Sequence, residues 1–352
     1  MAFLLMNYFI INLMNMRLIK ILVVLIILVS SAFYFTFYFP NVKIPNNAQE
    51  TTIYIYPDTD TDDFIEILKN ENILKFPWTF QLATKFRYFN AKPGRYVLKK
   101  GMNNNDLINK IRIGNQDPIT LTFNNVRTIN DLADKIDGKF IFTKQDFLDV
   151  INDKVFIDSL GFNKYNIPCI FIPNTYYFLW TTTPKEFVLR MKKEWDNFWI
   201  NERLEKAQAL NLTPVQVCIL ASIVEAETKK WDEMPIVAGV FINRLRRNMP
   251  LESDPTIIFA HQDFNIKRVL HKHLEINSPY NTYKNKGLPP GPILLPFPRT
   301  IDAVLNYQKH DYLFFCAKDD LSGYHTFSRT ITEHMQCAKK YHAALDRLDI
   351  KK

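Results

Sequence analysis

Thr213-Pro-Val-Gln-Val-Cys-Ile-Leu-Ala-Ser-Ile-Val-Glu-Ala-Glu227 is the stretch on which the reading of this chain turns. Thr213 suits an N-cap, Pro214 the first helical position, and Gln216 completes a capping box. At about 100° per residue, Val215, Ile219, Leu220, Ile223 and Val224 cover more than half the circumference. A helix that apolar is buried. Cys218, Ala221, Ser222 and Glu225 share the remaining side, all small except the glutamate. A carboxyl at the end of a buried helix, facing small residues, is placed as a general acid needs to be. The same pattern also allows Glu225 on a frayed, exposed turn, paired with Lys229 at i,i+4 for about 0.2–0.5 kcal/mol. Glu227 is the rival, roughly 160° further round the helix. One continuing helix cannot present both carboxyls to one cleft.

Working outward, 352 residues suffice for two or three domains, and 47% hydrophobic with 14% aromatic residues indicates folded ones. Only 9 glycines occur, with no GxGxxG or P-loop, which argues against nucleotide chemistry. Ile21 to Phe39 carries no charge and follows Arg17 and Lys20. It is long enough to span a bilayer, and the two basic residues put the N-terminus on the cytoplasmic side. An uncleaved anchor is favoured over a signal peptide, because no small-x-small cleavage site follows. Residues 2–16 are also apolar and read either as a second, interfacial piece or as preceding a start at Met14 or Met16. The net charge of +8 is a mild excess, without the basic–aromatic runs of nucleic-acid binding. Cys169, Cys218, Cys316 and Cys337 have no CxxC spacing and read as unpaired, mostly buried thiols. His271 and His273, at i,i+2, suit a strand, and no metal or other cofactor is expected.

Pro40 to Glu50 reads as a polar linker. A small module follows over 51–117: a strand at Thr51–Tyr56, a helix at Asp62–Asn70, a strand after Pro93-Gly, and a helix at Asn105–Ile113. Trp78 and Tyr96 read as core. Residues 118–204 form a middle α/β region, with a strand at Ile119–Phe123 and helices at Ile129–Lys135, Lys144–Ile151 and Pro184–Asn201. Region 205–346 carries nearly all the motif-like residues, and 347–352 is a tail.

Those motifs are Val240-Phe-Ile-Asn-Arg-Leu245, Ser253-Asp-Pro-Thr256, Tyr280-Asn-Thr-Tyr283, Gly287-Leu-Pro-Pro-Gly-Pro-Ile293 and His325-Thr-Phe327. Each alone reads as a turn or core piece. In this order, after Ala221-Ser-Ile-Val-Glu-Ala-Glu-Thr228, the chain resembles the YceG/MltG-like family of membrane-anchored endolytic murein (peptidoglycan) transglycosylases. The match has departures: Pro168-Cys-Ile-Phe-Ile-Pro-Asn-Thr-Tyr176 lacks the family's acidic positions, and Glu252 stands for a more usual Gln.

The resemblance implies an α+β chain with one N-terminal transmembrane helix over 21–39, preceded by a cytoplasmic or interfacial 1–20. A LysM-like module at 51–117 and a catalytic domain at 205–346 with the buried Glu-bearing helix complete it. It further implies cleavage of the MurNAc–GlcNAc β-1,4 bond with a 1,6-anhydro end, Glu225 serving as acid and then base. Asn243, Asp254, Thr256, Tyr280, Asn281, Tyr283, His325 and Thr326 become candidates for the cleft or its support, with Glu227 and Ser222 behind them. Lys229 is expected to point away from Glu225, since pairing would oppose a raised pKa. The implied partners are peptidoglycan strands, the bilayer and membrane peptidoglycan synthases, with the catalytic domain outside the cell membrane. Two other readings remain: a lysozyme-like hydrolase using Glu225 and Asp254, and a non-catalytic wall-binding scaffold.

Overall fold

The structure, a computed structural model, describes residues 2–347 in two compact units. The first runs to Ile119 and takes in Tyr177–Thr181; the second comprises Thr120–Tyr176 and the chain from Thr182 onward. The architecture is α+β, with one N-terminal apolar helix and a buried helix bearing Glu225.

The first unit opens with α1 (Ala2–Phe37), whose stretch Met14–Phe37 is long and apolar enough to cross a membrane. The helix is continuous from Ala2, because Arg17 and Lys20 are good helix formers and do not interrupt it. Then come β1 (Glu50–Ile55), α2 (Thr61–Asn70), α3 (Pro77–Phe86), β2 (Gly94–Lys99) and α4 (Asn104–Ile113). β1 and β2 pair antiparallel, from Glu50 opposite Lys99 to Ile55 opposite Gly94. Alternation sends Ile53 and Ile55 inward with Tyr96 and Leu98, onto Phe64, Leu68, Phe80, Leu107 and Ile111. Asp60 and Asp63 form a capping box on α2, and Asn103 caps α4. The Pro40–Glu50 stretch is more than a polar connector, since Val42 and Ile44 lie in this core. Tyr96 is fully buried, but Trp78 is 58% exposed.

The second unit holds most of β3 (Ile119–Phe123) and of β4 (Asn174–Phe178), together with α5 (Ile129–Ile136), α6 (Lys144–Asn152), α7 (Lys154–Ser159) and α8 (Pro184–Phe198). β3 pairs with β4, and Trp195 and Trp199 at the end of α8 are core. α9 (Glu202–Ala209) leads into α10 (Pro214–Glu227), followed by α11 (Met234–Arg246), α12 (Asp254–His261) and α13 (Pro298–Leu305). A hairpin, β5 (Phe314–Ala317) and β6 (His325–Ser328), precedes α14 (Ile331–Arg347). His271–Glu275 is a 3₁₀ turn, not the expected strand, with His273 Nδ1 accepting from Leu270 N at 3.0 Å. α10 is the hub. It packs on α9, α11, α12 and α13, and every residue from Val217 to Glu225 is buried. Its start carries the Thr213–Gln216 capping box. All four cysteines are free: Cys169 and Cys218 are buried, Cys316 and Cys337 half-buried.

Candidate active site

Glu225 is 5% exposed, in the last turn of α10, which removes the frayed-end reading. Its position follows from a need of α13. That helix starts with Phe297 at the N-cap and Pro298 next, and has no capping side chain of its own. Helix starts leave backbone donors unsatisfied. Glu225 Oε2 fills the gap, accepting from Phe297 N at 2.8 Å and Thr300 Oγ1 at 2.6 Å. Among the described residues Oε1 accepts no hydrogen bond. Burial pushes the Glu225 carboxyl above its ordinary pKa, against the Thr300 and Phe297 hydrogen bonds and the charges of Lys229 and Arg299. Desolvation wins because the charged form loses more water than two donors and two cations replace.

Glu225 lines a cavity of about 620 Å³ with Ala226, Lys229, Asn125, Arg127 and Asp131, and with apolar walls that include Phe259 and Phe264. Four segments far apart in sequence build it. Ser222, one turn before Glu225, donates to Ile219 O at 2.7 Å and accepts from Ile293 N at 3.0 Å. It thus ties the Gly287–Ile293 loop to α10. Two residues on, Leu295 N donates to Val126 O at 2.8 Å and fixes the Asn125–Arg127 wall. Gly291 is needed in this loop, since a Cβ there would lie 1.9 Å from Tyr165 O. Lys229 does not point away: it lines the same cavity, and its ammonium donates to Glu225 O at 3.1 Å. Unsatisfied carbonyls at a helix C-terminus attract such donors.

Glu227 faces elsewhere. It is half-buried, accepts from Ser253 Oγ, and is not on the cavity wall. Burial, reinforced by Asp254, holds its carboxyl up at about 7, against the Ser253 bond and Arg244. Several other candidates lie in the polar segments around it. Tyr283 OH donates to Asp254 Oδ1 at 2.6 Å. Thr256, fully buried, donates to Ser253 O at 2.7 Å and lies 2.8 Å from Thr282 Oγ1. Asn281 Nδ2 donates to Leu274 O and Ile276 O, stapling its own loop. Tyr280 packs its ring on Phe259, 4.7 Å between centroids, behind the cavity wall.

Three candidates lie apart from both groups. Asn243 on α11 donates to His310 O at 2.7 Å and Tyr312 O at 3.1 Å, holding the approach to β5. His325 on β6 meets buried Glu233 through Nδ1 at 2.9 Å, while its backbone N donates to the other oxygen at 2.7 Å. Thr326 sits opposite Cys316 in the hairpin. Of the eleven candidates, Glu225 alone lines the cavity, and Ser222 shapes it from behind. Sequence reasoning missed Asn125, Arg127, Asp131, Phe264 and Thr300. Only Thr300 had a local signal: a helix starting at Pro298 without a cap demands a partner from elsewhere.

The sequence profile of the YceG-like family matches residues 53–340. An endolytic murein transglycosylase of Bacillus subtilis (strain 168) is 29% identical over 320 residues, covering 86% of this chain and 84% of that protein. One of Streptococcus pneumoniae serotype 2 (strain D39) is 29% identical over 303 residues, covering 77% of this chain and 55% of its own longer length. Among solved structures, a yceG-like protein from Listeria monocytogenes superposes with a TM-score of 0.56 at 27% identity, covering 82% of this chain and 98% of that one.

Proposed function

The chain belongs to the YceG-like family, and on that premise we propose that it is a membrane-anchored endolytic lytic transglycosylase. It cleaves the MurNAc–GlcNAc β-1,4 bond of glycan strands and leaves a 1,6-anhydroMurNAc end. One observation carries the assignment. Glu225 is buried enough to favour its protonated form, holds Oε2 on α13, and lines the cavity.

Glu225 gives its proton to the glycosidic oxygen as the C1–O bond breaks, and the GlcNAc hydroxyl departs. The muramic 6-hydroxyl attacks C1 and returns its proton to the same carboxylate. One residue thus serves as acid and base, and its raised pKa suits work near neutral pH. Glycosidases that use water or an enzyme nucleophile need a second carboxylate. Asp254 does not supply it, being off the cavity wall and bonded by Tyr283. Asp131 is on the wall, but its Oδ2 caps α5, accepting from Arg127 N at 3.2 Å and Thr128 N at 2.9 Å.

Arg17 and Lys20 favour a cytoplasmic N-terminus, which puts the cavity outside the membrane among the strands. Residues 51–117 are read as a LysM-like module, supported by the family resemblance and the compact core around β1 and β2. Membrane peptidoglycan synthases fit as partners of an enzyme so placed. The test is the mass of the new muramic ends released from purified murein. Transglycosylation gives ends one water lighter than reducing ends; recovery of reducing ends alone would identify a hydrolase.

A further inference from the structure

α3 is apolar on two faces. Thr79, Phe80, Ala83 and Thr84 face the core. On the other side Trp78, Leu82 and Phe86, one turn apart, are 58%, 39% and 68% exposed, and Tyr88 just beyond is 93% exposed. A surface helix ordinarily carries polar residues on such a face. A contiguous exposed apolar stripe marks an interaction surface.

The position of α3 says what covers it. Ring centroids of Phe35 and Trp78 are 6.1 Å apart, and those of Phe37 and Phe86 are 6.4 Å apart. Phe35 and Phe37 differ by about 3 Å in height along α1, while Trp78 and Phe86 are about 12 Å apart along α3. Both ends of α3 therefore meet α1 at nearly one level, and α3 lies across the end of α1. The junction is locked by a buried polar network. Asn104 Nδ2 donates to Thr36 O at 2.7 Å and Thr79 Oγ1 at 2.9 Å. Asn41 Nδ2 donates to Asn104 Oδ1 at 2.7 Å, and Asn41 Oδ1 accepts from Phe76 N at 2.7 Å. Phe37 is 4% exposed, so the tip of α1 belongs to the core of this unit.

Met14–Phe37 holds 24 residues, about 36 Å of helix, against a hydrocarbon core of about 30 Å. Its last turn, Phe33 to Phe37, thus reaches the membrane boundary. A helix crossing there lies in the layer where Trp and Tyr are favoured. We propose that α3 is an interfacial membrane-contact helix, with Trp78, Leu82, Phe86 and Tyr88 seated in the headgroup–acyl boundary of a lipid surface. Lys85, exposed beside them, reaches lipid phosphates. The unit then lies on the bilayer at a fixed orientation. The inference rests on α1 being the membrane anchor.

The full chain is reconstituted into vesicles of phosphatidylcholine and phosphatidylglycerol, with and without bromine on the upper acyl carbons. Bromine quenches tryptophan at that depth, and the chain has 5 tryptophans. Wild type should lose emission in brominated vesicles, and Trp78→Phe should abolish that loss. Leu82→Glu, which keeps Trp78, should reduce it. Equal quenching in wild type and Trp78→Phe, or none in wild type, overturns the proposal while leaving the anchor intact; a stripe kept for a protein partner gives this result. A chain that fails to float with the vesicles overturns the anchor reading, and the proposal with it.

Discussion

The two sides of the α10 terminus carry carboxyls two residues apart and put them to opposite uses. On one side Glu225 holds a neighbouring helix with one oxygen and lines a cavity. On the other, Glu227 is tied to Ser253 within a network that includes Asp254, Tyr283 and Arg244. Both carboxyls are raised by burial, and the one assigned no chemistry is held at about 7. A perturbed pKa therefore marks burial, while access to a substrate-sized space marks the acid.

The largest effect expected from this contrast is on rate. Glu225→Gln should lower the turnover of purified murein by about 10²–10⁴-fold, the usual share of a general acid–base group. Its thermal melt should not fall, since the amide oxygen still accepts from Phe297 N and Thr300. Thr300→Val is next. It removes one hydrogen bond to the charged form, worth about 1.5–3 kcal/mol. The Glu225 pKa should rise and the alkaline limb of the rate profile move to higher pH. An unmoved limb would separate Thr300 from the chemistry.

Glu227 should appear in stability instead. Its pKa is raised from 4.5 to about 7 in the folded chain. The folded state therefore binds the proton more tightly than the unfolded state across that window. This stabilisation is full below about pH 4.5 and is lost as pH rises through about 7. Glu227→Gln, which stays neutral, should melt higher than wild type at pH 8 and match it at pH 4. Equal melting temperatures at both pH values would place Glu227 in solvent. The smallest effect is that of Tyr283→Phe, about 1 kcal/mol of stability for one hydrogen bond, with cleavage retained.

The sequence disclosed α10 almost completely, because capping and burial are local: Thr213, Gln216 and the apolar arc all lie within the helix. β3 and the helices at 129, 144 and 184 were legible for the same reason. α3 was not, since a helix apolar on two faces has no clear polar period, and it starts at Pro77 without a capping side chain. The cavity was hidden by distance: Asn125, Arg127, Asp131 and Phe264 meet Glu225 from loops with no motif. The motif residues stood out by composition, yet Asn243, Thr256 and Asn281 spend their hydrogen bonds on backbone carbonyls and hydroxyls. A dense polar motif near an active helix can be the frame of the site.

The most direct measurement is the pH–rate profile of Glu227→Gln on purified murein, beside wild type. Glu227 has the pKa that a free choice of catalyst near pH 7 would select. If Glu225 is the acid, the variant should cleave at close to the wild-type rate with its alkaline limb unmoved. Loss of cleavage, or disappearance of that limb, would show that Glu227 carries the proton and contradict the assignment.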